Sequence, residues 1–446
     1  MEVRRTSRLA FLSRERLGWI IYDWANSAYV LCVITVLGSA YFIAVFEQAA
    51  RDSGGPLKGT ALALQIYGLT LTAEAAWSLI IAASAVIVAI SSPVLGALAD
   101  GTGTKRRFLT IYCATGVICT LALWFSIPWW AVGLLILISN IGFEGGNVFY
   151  NGFLPELAGE TERNMLSGAG FAAGYLGGVL VLVTSLFLFV PPKGSVNDAF
   201  LLIGIWWGGF GALSIAWLRE TRPFRRKTSR SPLMAALREL METLRGISQY
   251  PQAVKFLGAF LLYNDGIATL ISNTTPFALQ NIYLDETMTA KMGLSELIPA
   301  IIMIQFVAIP GSLACSWMAD RVGEKPVIFF TLLVFASVIT YGQIVRLVSE
   351  FYVMALLIGI VLGGAQAISR SLFSKLIPRG KHAEFFSFFA LSARFSAFAG
   401  PFVYGVLLIL TGDARDSLLS LTLFIFAGGA LLYTVDIAQG KADALK

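Results

Sequence analysis

The sequence predicts an all-α integral membrane protein whose twelve transmembrane helices form two pseudo-symmetric bundles of six. Three observations predict it: an apolar composition, long unbroken apolar runs, and a charged loop pattern that returns half a chain later. Of 446 residues, 57% are hydrophobic and 13% charged, with mean hydropathy +0.73. Soluble domains carry roughly a quarter charged residues, so water is not the main solvent of this chain. Apolar runs of about 20 residues recur, the length that crosses about 30 Å of hydrocarbon as a helix. They are continuous and about twice as long as a membrane strand, with no alternation of polar and apolar residues, which selects helices over a barrel.

The first run, 19–46, follows Arg4, Arg5, Arg8, Arg14 and Arg16 in the manner of a signal peptide. It is too long for one and carries Asp23, so it is read as a retained first helix. Runs at 74–99, 107–127, 128–150, 164–190 and 200–218 complete an N-terminal bundle, 1–218. A basic linker, 219–253, joins it to a C-terminal bundle, 254–446, with runs at 254–281, 292–319, 326–347, 351–374, 383–410 and 417–437. Within the linker Leu233, Leu237, Leu240, Leu244 and Ile247 follow Pro232 at helical spacing, which predicts a cytoplasmic amphipathic helix. With the N-terminus inside, about 26 of the 33 Lys and Arg flank the inner ends and about 6 the outer ends, so both termini are expected in the cytoplasm. The net charge of +6 then belongs to the inner surface and calls for no nucleic-acid partner. The partners expected are the lipid bilayer, a small-molecule substrate and protons, with the chain a monomer. Short loops and termini point to a bacterial inner membrane. Cys32, Cys113, Cys119 and Cys315 fall in spans without metal-ligand or redox spacing, and no cofactor is expected.

The repeat lies in two inner loops. Gly96-Ala-Leu-Ala-Asp100-Gly-Thr-Gly103-Thr-Lys105-Arg106 follows the second run, and Asp320-Arg321-Val-Gly323-Glu-Lys325 follows the eighth. Asp100 and Asp320 stand 220 residues apart, close to half the chain, as a duplicated unit requires. Tyr22-Asp23 in the first run and Tyr263-Asn264-Asp265 in the seventh form a second echo. Each loop offers a glycine turn, a carboxylate and cations at helix ends, a charge cluster able to latch one gate state. The plainer alternative is a turn with a positive-inside anchor.

The first loop follows the G-x-x-x-D-x-x-G-x-K/R-R/K signature and so resembles the major facilitator superfamily; the second departs from it, with Ser316 in place of the leading glycine. A narrower resemblance is carried by Tyr22-Asp23-Trp24-Ala25-Asn26-Ser27-Ala28-Tyr29, Tyr150-Asn151-Gly152-Phe153-Leu154-Pro155-Glu156 and Tyr263-Asn264-Asp265-Gly266. Gln366-Ala-Ile-Ser369-Arg370-Ser371-Leu372-Phe373, Ile377-Pro378 and Ala383-Glu384-Phe385-Phe386 agree with it. Together they are similar to the vacuole-effluxer branch linked to autophagy in fungi, over nearly the whole chain. The resemblance implies a facilitator fold, secondary transport by alternating access, an amino-acid substrate, and a central cavity lined by the first, fourth, seventh and tenth helices.

An ionisable side chain at membrane depth costs about 3 kcal/mol or more, and the polar groups found there mark the expected substrate and proton path. They are Asp23, Asn26, Glu144, Asn147, Asn151, Asn264, Asp265, Gln305, Gln366 and Arg394. Glu144, Asn147 and Asn151 are spaced i, i+3, i+7 and share a helix face, as do Asp23 and Asn26. Glu144, the deepest carboxylate, is the candidate for proton coupling. Asp23 and Asp265 lie near helix ends, where capping or pairing competes with a path role. Arg394 calls for an internal carboxylate or an anionic substrate group. Gly170, Gly174 and Gly178 predict a close helix contact, Trp124, Trp129, Trp130, Trp206, Trp207 and Trp217 an interfacial belt, and His382 a solvated loop position. A proton-coupled drug effluxer, a receptor or scaffold without flux, and a membrane enzyme are the rivals. No nucleophile and base pair supports an enzyme, and no phosphate loop supports ATP-driven transport.

Overall fold

The structure, a computed structural model, describes residues 13–55, 57–58, 61–66, 69–189, 194–220, 249–411 and 413–445. The predicted amphipathic helix of the linker lies outside them. Twelve long helices follow in order: α1 Arg14–Asp52, α2 Ala73–Thr102, α3 Lys105–Ala122, α4 Trp129–Leu157, α5 Arg163–Leu188 and α6 Val196–Trp217, then α7 Pro251–Asn281, α8 Leu294–Val322, α9 Glu324–Tyr341, α10 Val348–Leu376, α11 His382–Thr411 and α12 Ala414–Tyr433. A short helix, α13 Ile437–Ala444, ends the chain. Among the described residues ten of these helices are long and apolar enough to cross a membrane. α3, whose first turn is Lys105-Arg106-Arg107, and α11 complete the twelve. The chain is a multi-pass membrane protein.

One departure from an all-helical chain sits between α1 and α2. Leu57–Lys58 (β1), Ala61–Ile66 (β2) and Leu69–Thr72 (β3) form an antiparallel ribbon, with Leu64 paired to Leu71 and Gln65 to Thr70. Leu-Ala-Leu and Leu-Thr-Leu-Thr alternate polar or small residues with large ones, a period-2 pattern that suits a strand.

The chain divides into two compact units. The first comprises 1–92, 103–150 and 176–221. In it α1 carries a π-helical stretch, Tyr29–Val36, a geometry that single turns usually supply. Tyr29 hydroxyl pairs with Ser139 Oγ at 2.7 Å, and Ser214 Oγ on α6 donates to Gly18 O at 2.6 Å. Trp207 is fully buried against Tyr29 and Gly116, and so leaves the predicted interfacial belt, whereas Trp124 and Trp130 are exposed. Close approach of α5 to α1 occurs at Gly177 and Gly178, beside Trp24 O and Ser27 O. The four cysteines are free and buried.

The second unit comprises 93–102, 151–175 and 222–446, so the ends of α2 and α4 and the start of α5 cluster with α7–α13. Its core is aromatic. Phe260, Phe373, Phe386 and Phe389 stack or meet edge to face, and Tyr263 hydroxyl on α7 pairs with Ser369 Oγ on α10 at 2.6 Å.

Candidate functional site

The candidate path residues of the first unit are Asp23, Asn26, Glu144 and Asn147. Trp19 and Tyr22 of α1 both stack on Tyr150 of α4, and Trp19 Nε1 donates to Tyr150 O at 3.0 Å. These aromatic contacts fix the register of the two helices. One turn further in, Asn26, which is 2% exposed, donates from Nδ2 to Asn147 Oδ1 at 2.9 Å. Asp23 is buried on α1, and Glu144, one turn before Asn147 on α4, is half-buried. The spacing read from the sequence therefore brings Asn26 and Asn147 together across two helices.

Asn151, one turn beyond Asn147, belongs to the second unit and accepts from Arg370 Nη1 at 3.3 Å. Gln366 Oε1 accepts from Tyr175 hydroxyl at 3.3 Å. Gln305 is half-buried on α8, and its Oε1 is buried with no hydrogen-bond partner among the described residues. Asn264 is half-buried on α7. Asp265 is fully buried: Oδ2 accepts Gly400 N–H at 2.8 Å and Oδ1 accepts Thr269 Oγ1 at 3.5 Å. A Cβ on Gly400 would lie 2.2 Å from Thr269 Oγ1 and 2.7 Å from Asp265 Oδ1, so the glycine is what admits this contact. Those bonds tie α7 to α11 and favour the pairing alternative for Asp265. Arg394 lies on α11 with its side chain outside the described ones.

The two repeated loops make corresponding contacts. Gly103 has φ +68° and Gly323 φ +92°, so both copies turn through conformations that favour glycine. Asp100 on α2 accepts Glu384 N–H from the first turn of α11 at 3.0 Å. Asp320 on α8 accepts Asn164 Nδ2 from the first turn of α5 at 2.9 Å. Each carboxylate thus meets a helix N-terminus, where the dipole favours negative charge. After the turn, Arg106 N–H donates to Glu220 beyond α6 at 2.6 Å, and Lys105 is buried. Lys325 Nζ donates to Tyr433 O at 2.7 Å and Val435 O at 2.9 Å, at the C-terminal end of α12. Arg321 instead stacks on Trp317, 3.8 Å from the ring centre.

Sequence reasoning passed over several residues that the second unit brings together. Arg370, 5% exposed, donates from Nε to Ser167 Oγ and from Nη2 to Ser167 O, each at 2.9 Å, and lies over the Phe171 ring at 4.3 Å. Lys375 and Glu324 form a buried ion pair, and Asn164 Nδ2 also reaches Glu324 Oε1 at 3.1 Å. Arg163 donates to Ser374 O at 2.7 Å. Lys441 of α13 is 2.9 Å from Glu160, and its hydrogen bond holds the Glu160 carboxyl below the usual carboxylate range against partial burial. His382 is not a solvated loop residue. It begins α11, half-buried, with Nδ1 3.8 Å from Glu156. A signal for Arg370 was present, because the criterion that selected Arg394, a cation inside an apolar run, applies to it equally. Among the described residues no cluster of His, Cys, Asp and Glu could hold a metal ion.

The profile of a family described as "Vacuole effluxer Atg22 like" matches residues 13–445. The chain belongs to the vacuole effluxer Atg22-like family. Tyr22, Asn26 and Tyr150, which join α1 to α4, lie in the segments that carry the resemblance. An uncharacterized MFS-type transporter of Bacillus subtilis, YxiO, is 29% identical, covering 97% of this chain and 98% of the relative. Autophagy-related protein 22 of Eremothecium gossypii is 24% identical, covering 97% and 92%. The crystal structure of the human organic anion transporter MFSD10 superposes with TM-score 0.68 at 16% identity, covering 94% of this Atg22-like chain and 98% of that one. The fold is that of the major facilitator superfamily, and the relatives are transporters rather than enzymes.

Proposed function

We infer that this Atg22-like chain is a secondary active transporter that moves an amino acid by alternating access, coupled to protons, as a monomer in a bacterial inner membrane with both termini in the cytoplasm. The observation that carries the reading is the bond between buried Asn26 and half-buried Asn147, with Glu144 one turn away. Their mutual bond uses one donor of Asn26 and one acceptor of Asn147. Asn26 Oδ1 and the Asn147 amide hydrogens are then the groups that match the ammonium and carboxylate of a zwitterion. Glu144 supplies the carboxyl that carries the coupled proton.

The test is uptake of a labelled amino-acid panel into proteoliposomes, with and without an imposed pH gradient, for the native protein, Glu144→Gln and Asp23→Asn. Gradient-driven flux that collapses in Glu144→Gln is the expected result, because an amide cannot cycle a proton. Flux indifferent to the gradient and to Glu144 removes proton coupling. A panel in which no amino acid moves while another solute crosses removes the amino-acid assignment.

A further inference from the structure

We propose that Arg370 is the positioning residue that locks the path shut at the cytoplasmic ends of the helices, by fastening α10 to the end of α4 and the start of α5; this rests on the alternating-access reading above. The guanidinium is a fork of rigid donors, and each donor named here lands on the same two short segments. Nε reaches Ser167 Oγ at 2.9 Å, Nη2 reaches Ser167 O at 2.9 Å, and Nη1 reaches Asn151 Oδ1 at 3.3 Å. Phe171, one turn beyond Ser167, receives the flat face of the cation at 4.3 Å. One side chain on α10 thus engages α4 through Asn151 and α5 through Ser167 and Phe171.

The contacts continue along α5 at one helical face. Asn164 donates to Asp320 at 2.9 Å, Ser167 Oγ donates to Ala367 O on α10 at 2.8 Å, and Tyr175 hydroxyl donates to Gln366 at 3.3 Å. Arg163 closes the row with its 2.7 Å bond to Ser374 O. Asn164, Ser167, Phe171 and Tyr175 are spaced i, i+3, i+7, i+11, so a straight helix presents them on one side. Ser167 and Asn164 are fully or almost fully buried, which makes each bond costly to break without a replacement partner.

Opening the path on this side requires α10 to part from α4 and α5, and the bonds from α5 to Gln366, Ala367 and Ser374 must then exchange for water. Arg370 is the α10 side chain that reaches both α4 and α5, while Arg163 of α5 adds bonds to Pro155 O on α4 at 3.2 Å and to Ser374 O on α10 at 2.7 Å. Release of Arg370 depends on competing acceptors, water or substrate. Asn151 therefore serves the lock, while Asn147, one turn away on the same face of α4, serves the Asn26 pair.

The test is a distance measurement in the full-length protein reconstituted in proteoliposomes. Thr161→Cys and Arg379→Cys place two spin labels on exposed positions beside α5 and α10, and the native thiols are buried. Pulsed electron resonance reads the ratio of a short-distance to a long-distance population. Arg370→Gln is expected to raise the long population relative to the short one at least tenfold, with both distances unchanged. Ser167→Ala is expected to move the ratio the same way by less, because Ser167 O remains, and Arg370→Lys to fall between Arg370→Gln and the native protein. A ratio unchanged in Arg370→Gln overturns the proposal. So does broadening of both peaks in Arg370→Gln with Ser167→Ala unmoved, which marks a residue needed only for folding. The measurement needs no substrate. An altered ratio without solute flux retains the lock and removes the transport reading; flux with an unaltered ratio does the reverse.

Discussion

Replacing Gly96 with alanine tests the contact on which the first repeated loop depends. A Cβ at Gly96 would lie 2.8 Å from Ala383 O and 2.9 Å from Ala383 C, backbone atoms of the first turn of α11. Comfortable contact for carbon begins near 3.5 Å, so α2 and α11 must part by several tenths of an ångström. Backbone cannot swing aside as a side chain does, and overpacking of this kind costs about 1–3 kcal/mol. The same movement stretches the 3.0 Å bond from Glu384 N–H to Asp100 Oδ2, a helix-capping contact worth about 1 kcal/mol. The expected loss is then about 2–4 kcal/mol. A thiol-reactive dye reads it directly, because the buried Cys32, Cys113, Cys119 and Cys315 become reactive only on unfolding. The control is Gly209→Ala on α6, an exposed position with no atom within 4 Å of the added Cβ, where alanine gains up to about 1 kcal/mol of helix propensity. Gly96→Ala is expected to melt about 2–4 °C below the native protein and Gly209→Ala at or above it. Equal melting of the two variants refutes the reasoning.

Gly168→Ala repeats the test in the second copy: its Cβ would lie 2.1 Å from Ser316 Oγ and 2.9 Å from Ser312 O, so the same dye assay should show a loss like that of Gly96→Ala, partly recovered by adding Ser316→Gly. The Glu160–Lys441 pair gives a pH dependence with a fixed sign. Its carboxyl is held below the ordinary value in the folded protein, so the stabilisation is present above about pH 4.3 and disappears as pH falls through the lower folded value. Glu160 is about half exposed, so solvent screening limits the pair to about 0.5 kcal/mol. Lys441→Ala should shift melting by no more than about 2 °C at pH 7 and by less as the pH falls through the folded value, and a shift that grows on acidification removes this assignment.

The spans were legible because their signal is one-dimensional: length, hydropathy and the placing of Lys and Arg decide them, and no partner helix needs to be known. The Asn26–Asn147 bond was half legible, since spacing put each residue on a face but only packing says which faces meet. Asp265 was legible as a buried carboxylate and illegible as a ligand of Gly400 N–H, because nothing along the sequence connects positions 265 and 400. Arg370 was overlooked for a different reason. It lies close enough to the inner end of its run to count as a flanking positive charge, and snorkelling to the interface is the ordinary fate of such a residue. The structure turns it inward instead, onto Ser167 and Phe171.

The departure of the second loop from its signature has the same origin as the conservation of form in the first. Both copies bring a helix end close to a partner: α2 to α11 at Gly96, and α8 to α5 at Ser316. Only one of the two facing residues needs to lack a Cβ for that approach. In the first copy the glycine is on the loop-bearing helix and Ala383 faces it; in the second, the serine is on the loop-bearing helix and Gly168 faces it. Ser316 Oγ is accommodated by donating to Ser312 O at 2.7 Å, a bond to its own preceding turn that keeps the hydroxyl satisfied in a dry contact. The missing glycine is therefore not a lost feature but one carried by the partner helix. The carboxylates follow suit, since Asp100 takes a backbone N–H of α11 and Asp320 a side-chain amide of α5, two ways of placing negative charge at the start of a helix. The two copies share the close approach and the charge at each site, and differ in which chain segment supplies them.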